Sequence, residues 1–215
     1  MTFSALSELK RFRHRFTLRN PSIDVNERRE LVIERLWDWH RDHVLQMGFD
    51  KEGLRTAEQV HGNQVTVLRA AKEFVKAPAC DGLVTNLRGI TLGIYVADCC
   101  AVFLADPRTG AFGIVHSGKK GTEGRIVHHA IHALSDNYGS DPRDVVVQLS
   151  PCIRPPAYEI DFAASIRQQS LEAGVLPGHL HDTGICTSTN LTTFYSYRME
   201  KGKTGRMLAL LGRWD

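Results

Sequence analysis

The stretch from Cys80 to Arg125 constrains this chain most, because it packs three apolar runs between short turns and leaves a chemically active residue at two of the breaks. Ile90, Leu92, Ile94 and Val96 alternate with Thr91, Gly93 and Tyr95, the period-two pattern of a strand with one buried face. Asp98 and Cys99 sit at its end. A second run, Ala101 to Ala105, stops at Asp106-Pro107 with Thr109-Gly110, where proline presets φ and glycine accepts turn angles. The third, Phe112 to Val115, delivers His116 at its end. Ser117-Gly118-Lys119-Lys120-Gly121 then forms a basic, glycine-flanked loop before a helix beginning near Thr122. Neighbouring strands are expected to bring Cys99 and His116 together.

Three chemistries suit such a pair. Cys99 can be a small buried hydrophobe beside a satisfied histidine, a thiolate nucleophile with His116 as base, or a metal ligand. An open catalytic zinc site needs a third protein ligand. His61, in Gln59-Val60-His61-Gly62, precedes a short strand-like run from Val65 to Leu68 and so also lies where a strand meets a loop. The spacing His61…Cys99…His116 has none of the compactness of CxxC or HExxH and is not by itself a metal signature.

At 215 residues the chain is long enough for one sizeable core, and a single domain spanning 1–215 is expected. The net charge of +3 brings no long basic run with interleaved aromatics, so nucleic-acid binding is not expected. A local basic excess at Lys119, Lys120 and Arg125 sits beside the candidate site and suits phosphate. Nothing approaches a membrane-spanning length of about 20 apolar residues. Five cysteines, an odd number, and an N-terminus without the apolar core of a signal peptide point to reduced thiols and a cytoplasmic protein.

Along the chain, basic and apolar residues alternate over 10–19, as in an edge strand whose charges discourage further pairing. Ile33, Leu36, Trp37, His40, Val44 and Met47 recur at helical spacing and predict one amphipathic helix over Glu27 to Met47. His40 and His43 on it are assigned to packing and surface. Thr122 to Tyr138 predicts a second helix and Phe162 to Ala173 a third, with a buried strand at Val145 to Leu149. On the second helix His128 and His132 form the one same-face histidine pair. Phe194 to Arg198 alternates like a strand and, with a turn at Lys201 to Gly205, predicts a hairpin with Arg206 to Leu211. Arg198 and Arg206 either face a pocket and hold an anion or are exposed hairpin charges. Strands outnumber helices and alternate with them irregularly, which argues an α+β or mixed-sheet domain.

QVHG at 59–62, DGLVT at 81–85, ADC at 97–99, HSGKKGT at 116–122, SPCIRPPAYEI at 150–160 and FYSYRMEKGKTGRM at 194–207 resemble the multicopper polyphenol oxidase, or laccase-domain, family. The resemblance implies a YfiH-like layered sandwich of two mixed sheets flanked by helices, similar to the toxin deamidase and cysteine hydrolase fold. It also implies a metal site on His61, Cys99 and His116. Many members are regarded as zinc-dependent purine nucleoside phosphorylases with adenosine deaminase activity, so nucleoside and phosphate are the partners implied. The sequence departs from the family where HAGWRG is typical and His116-Ser117-Gly118-Lys119-Lys120-Gly121 stands instead, and the glycine-rich N-terminal segment is shortened.

With zinc, these ligands would leave a fourth position for water, and Asp98, adjacent to Cys99, is the candidate proton shuttle. Lys119, Lys120, Arg198 and Arg206 are the candidates for substrate and phosphate. Two alternatives are copper-dependent phenol oxidation, since a His₂Cys set also suits copper, and a Cys99–His116 hydrolase or deamidase. The oxidase needs additional histidine-rich copper centres, and none is expected.

Overall fold

The computed structural model describes residues 1–215 and gathers the apolar runs into two sheets. With strands numbered in chain order, the first sheet runs β1 (Phe12–Phe16), β11 (Met207–Arg213), β6 (Thr91–Val96), β2 (Leu54–Ala57) and β4 (Lys76–Ala77). The second runs β10 (Leu180–Asp182), β9 (Val146–Leu149), β7 (Cys100–Ala105), β8 (Phe112–Ser117), β5 (Gly82–Thr85) and β3 (Val65–Val67). Both are mixed: β6 is antiparallel to β11 and parallel to β2, while β9 is antiparallel to β7 and parallel to β10. The helices are α1 (Ser4–Ser7), α2 (Arg29–Arg35), α3 (Trp37–Gln46), α4 (Lys119–Glu123), α5 (Ile126–Tyr138) and α6 (Phe162–Glu172).

Alternation along the strands sorts the side chains into layers. Leu92, Ile94 and Val96 of β6 meet Phe103, Ala105, Phe112 and Ile114 of β7 and β8 between the sheets. On the far side of the second sheet, Val102, Leu104 and Val115 pack on Ile126, Ala130 and Leu134 of α5 and Ile166 of α6. On the far side of the first, Tyr95, Leu208 and Leu210 pack on Val44 and Met47 near α3. The result is the expected α+β sandwich, helices outside two sheets.

Three local expectations change. β6 is covered on both faces rather than one, because α3 lies over Tyr95. The single helix over 27–47 breaks at Leu36 (φ −83°, ψ −5°). Its halves serve different cores, Val32 and Leu36 joining the layer between the sheets and Val44 the layer outside them. The hairpin near the C-terminus is absent: β11 already pairs with β1 on one side and β6 on the other, leaving 194–198 no edge, so 194–196 stay irregular and a turn begins at Tyr197. β1 is the edge strand its charges predicted.

His40 is fully buried with both ring nitrogens unpartnered, against the Tyr95 ring at a centroid distance of 5.5 Å. Burial pushes its pKa down to about 3, and that of buried His14 to about 4. Both are therefore neutral in the folded chain, whereas the unfolded chain binds these protons near pH 6.5. Stability from this source is complete above about pH 6.5 and is lost as pH falls from there toward 4. At pH 5 each histidine is expected to cost about 2 kcal/mol relative to pH 7.5. Urea melts across that range measure it; His40→Leu should flatten the profile, and an unchanged slope would contradict the assignment.

Candidate metal centre and cavity

Strand register builds the site. β5 pairs antiparallel with β8, setting Gly82 opposite Val115, so Asp81 reaches the end of β8, where the His116 N–H donates to the Asp81 carbonyl at 2.7 Å. β7 pairs with β8 so that Cys100 faces Ser117, which places Cys99 beside Gly118. The approach is close: a Cβ on Gly118 would lie 2.7 Å from the Cys99 sulfur, so only glycine fits there. Cys99 itself stands where the chain crosses from the first sheet to the second, between β6 and β7.

His61 arrives on the loop between β2 and β3, with Gln59 and His61 both at positive φ (64° and 61°). That conformation costs non-glycine residues roughly 1–2 kcal/mol each, and two side chains hold it. The buried Asp81 carboxylate accepts the backbone N–H groups of Val60, His61 and Gly62 at 3.1, 3.0 and 2.7 Å. Gln59 grips the Tyr95 main chain, its Nε2 donating to the Tyr95 carbonyl at 2.6 Å and its Oε1 accepting the Tyr95 N–H at 2.9 Å. One carboxylate thus shapes the His61 loop and orients the His116 ring, whose Nδ1 lies 2.8 Å from Asp81 Oδ1.

The ligand atoms of His61, Cys99 and His116 all lie within 4.8 Å of one another, and they form the chain's one group of three or more candidate metal-ligating residues. Burial alone would raise the Cys99 thiol, but His116 and His61 overcome it and bring the pKa down to about 6. Burial would likewise lower His116, yet the Cys99 thiolate and Asp81 raise it to about 9. A thiolate, two imidazoles and a carboxylate on the far nitrogen of one imidazole are the donor types of a zinc or copper site with its outer hydrogen bond in place. The residues fit a metal ion.

The three residues open onto a cavity of about 730 Å³. Its wall carries Tyr95, Tyr158, Phe162, Tyr197 and Ile153 as apolar surface, and Arg29, Lys119, Arg198, Lys201 and Arg206 as cations. Of the four residues expected to hold substrate or phosphate, Lys119, Arg198 and Arg206 line the cavity. Lys120 is not in the wall: neighbouring helical residues point about 100° apart, and with Lys119 turned to the cavity Lys120 is exposed on α4. Asp98 lines the cavity but is committed. Its Oδ1 accepts Thr187 Oγ1 at 2.7 Å, and its Oδ2 accepts Ser196 Oγ at 3.0 Å and the Arg198 N–H at 2.7 Å. It braces the 196–198 turn over the site rather than standing free as a proton shuttle. Sequence reasoning passed over Gln59 and Asp81, although both lie in the QVHG and DGLVT segments, and also Arg29, Tyr95 and Lys201, which no local pattern ties to the site.

The sequence matches the family described as multi-copper polyphenol oxidoreductase laccase over residues 13–165 and 158–213. The chain belongs to this family. Among its relatives, the purine nucleoside phosphorylase YlmD of Geobacillus stearothermophilus is 30% identical over 92% of this chain and 84% of its own. A purine nucleoside phosphorylase of Deinococcus radiodurans is 34% identical over 77% of this chain and 72% of its own. The crystal structure of the Geobacillus YlmD superposes with a TM-score of 0.83 at 26% identity, covering 96% of this chain and 93% of that one. The chain's one H-x-H spacing, His179-Leu180-His181, joins no group of three candidate ligands. No helix is long and apolar enough to cross a membrane.

Proposed function

We propose that this chain is a zinc-dependent purine nucleoside phosphorylase that also deaminates adenosine. The observation that carries the reading is the His61–Cys99–His116 group lining a cavity whose wall also carries aromatic rings and five cationic side chains; the naming of its relatives as purine nucleoside phosphorylases supports it. Bound to the three residues, zinc would supply Lewis acidity toward an oxygen ligand. Arg206, with its Nη1 tied back to the carbonyls of Thr204 and Gly205 at 2.9 and 2.8 Å, presents the rest of its guanidinium to phosphate without needing to be ordered first. Lys119 adds a charge beside Gly118. Tyr95, Tyr158 and Tyr197 offer flat faces for a purine ring. Charge developing on the departing base is stabilised by fixed cations in a site partly closed to water.

Incubating metal-replete protein with adenosine, with and without phosphate, and separating the products tests the reading. Adenine and ribose 1-phosphate are expected only with phosphate, and inosine in either case; neither product forming would overturn it. One observation favours a second reading: Cys99, His116 and Asp81 also form the nucleophile, base and orienting carboxylate of a cysteine hydrolase. Activity that survives removal of metal and is abolished by alkylating Cys99 would select that reading.

A further inference from the structure

A second pair of histidines converges outside the cavity. His128 and His132 are four residues apart on α5 and neither lines the cavity wall. Side chains at this spacing have Cβ atoms about 5–6 Å apart on one face of a helix. The two ring centroids are only 4.3 Å apart, with the planes inclined by 38°, so the rings lean toward each other. Both reach solvent, His128 half-buried and His132 exposed. Of the three histidines on this helix only His129 has a ring hydrogen bond, its Nδ1 donating to the Asn63 carbonyl at 3.2 Å. The nitrogens of His128 and His132 have no partner within the protein. Burial first, and then the positive charge of His132 and Arg125, holds the His128 pKa below its usual value. That ring is therefore neutral near pH 7, the form that binds a metal ion.

A carboxylate stands nearby. Glu172, the last residue of α6, is the acidic side chain among the charged neighbours of His128. Its oxygens accept Arg125 Nη2 at 2.7 Å and Gln168 Nε2 at 3.0 Å. Glu172 and Arg125 are both largely exposed, and an ion pair in that setting is weakly held, so Glu172 is free to exchange Arg125 for a stronger cation. The ring torsion of histidine is soft, and each ring can turn one nitrogen toward a shared ion without disturbing the helix. Imidazole suits zinc, copper and nickel. We propose that His128 and His132 form a second metal site, a two-imidazole chelate for a divalent transition ion, with Glu172 as its third ligand and water completing the shell. The site is separate from the His61–Cys99–His116 group and stands whether or not the chain is a phosphorylase.

Equilibrium dialysis of the full-length, zinc-replete protein against Ni²⁺, with nickel and zinc both counted, tests this. Wild-type protein is expected to hold one nickel per chain more than His128→Ala/His132→Ala, with zinc the same in both. Either single variant should weaken nickel binding at least tenfold, since losing a ligand costs more than losing an outer hydrogen bond to one. Glu172→Gln should weaken it by less, and His129→Ala should leave it unchanged. Because the ion binds the folded helix and not the unfolded chain, nickel should also raise the Tm of wild type and not that of the double variant. Equal nickel in wild type and the double variant, or nickel gained only as zinc is lost, would overturn the site. Wild-type affinity in Glu172→Gln would overturn the third ligand.

Discussion

Cys99→Ala should fold normally, lose more than 100-fold in zinc affinity and show no measurable phosphorolysis or deamination. Among the three ligands only the thiolate is anionic, and together with Asp81 it raises the pKa of His116 when no metal is bound. Loss of an outer hydrogen bond to a ligand costs roughly 10–100-fold in affinity, so loss of the ligand itself must exceed that. Folding should be spared because Cys99 belongs to none of the three buried clusters. Metal analysis after gel filtration, with circular dichroism on the same sample, checks both parts. A fully metallated Cys99→Ala protein would remove Cys99 from the ligand set.

Asp81→Ala should instead damage fold and site together. The substitution strands three part-buried backbone N–H groups and the buried His116 Nδ1. Each unsatisfied buried donor costs about 1–3 kcal/mol. With partial relaxation of the loop, the net loss is expected to be about 3–5 kcal/mol, of the size measured when one partner of a buried charged pair is removed. What survives should bind zinc roughly 10–100-fold more weakly, because His116 loses its orientation and the His61 loop is released from its left-handed turn. Asp81→Asn keeps the shape and one acceptor oxygen and should fall between. Denaturant melts in the presence of a chelator read the first effect, and competition with a zinc-binding dye the second. A variant within 1 kcal/mol of wild type would show that the loop is held by something other than Asp81.

The candidate ligands were legible as positions, Cys99 and His116 each at the end of an apolar run and His61 just before one, and the family resemblance joined the three. Their company was not. Asp81 precedes β5 and looks like any turn residue until the Gly82–Val115 register sets it beside His116. Arg29 lies in a stretch read as a plain amphipathic stripe, and only the three-dimensional structure shows it at the start of α2 lining the cavity. The arrangement of the sheets was hidden for a similar reason. β6, β7 and β8 read as three consecutive strands, yet β6 belongs to the other sheet, and the crossing at Ala97 to Cys99 is marked in sequence by nothing stronger than Asp98, whose φ is 81°. At the C-terminus, alternation in Phe194 to Arg198 promised a strand, but β11 was already paired on both sides. A local pattern cannot register competition for an edge.

The most direct test of the central claim is zinc K-edge X-ray absorption, with metal quantitation, on the protein as purified. One zinc per chain is predicted, with a single sulfur neighbour at about 2.3 Å and two nitrogen neighbours at about 2.0–2.1 Å, and the sulfur shell should be lost in Cys99→Ala. A zinc without sulfur, or phosphorolysis undiminished in protein stripped of metal, would contradict it.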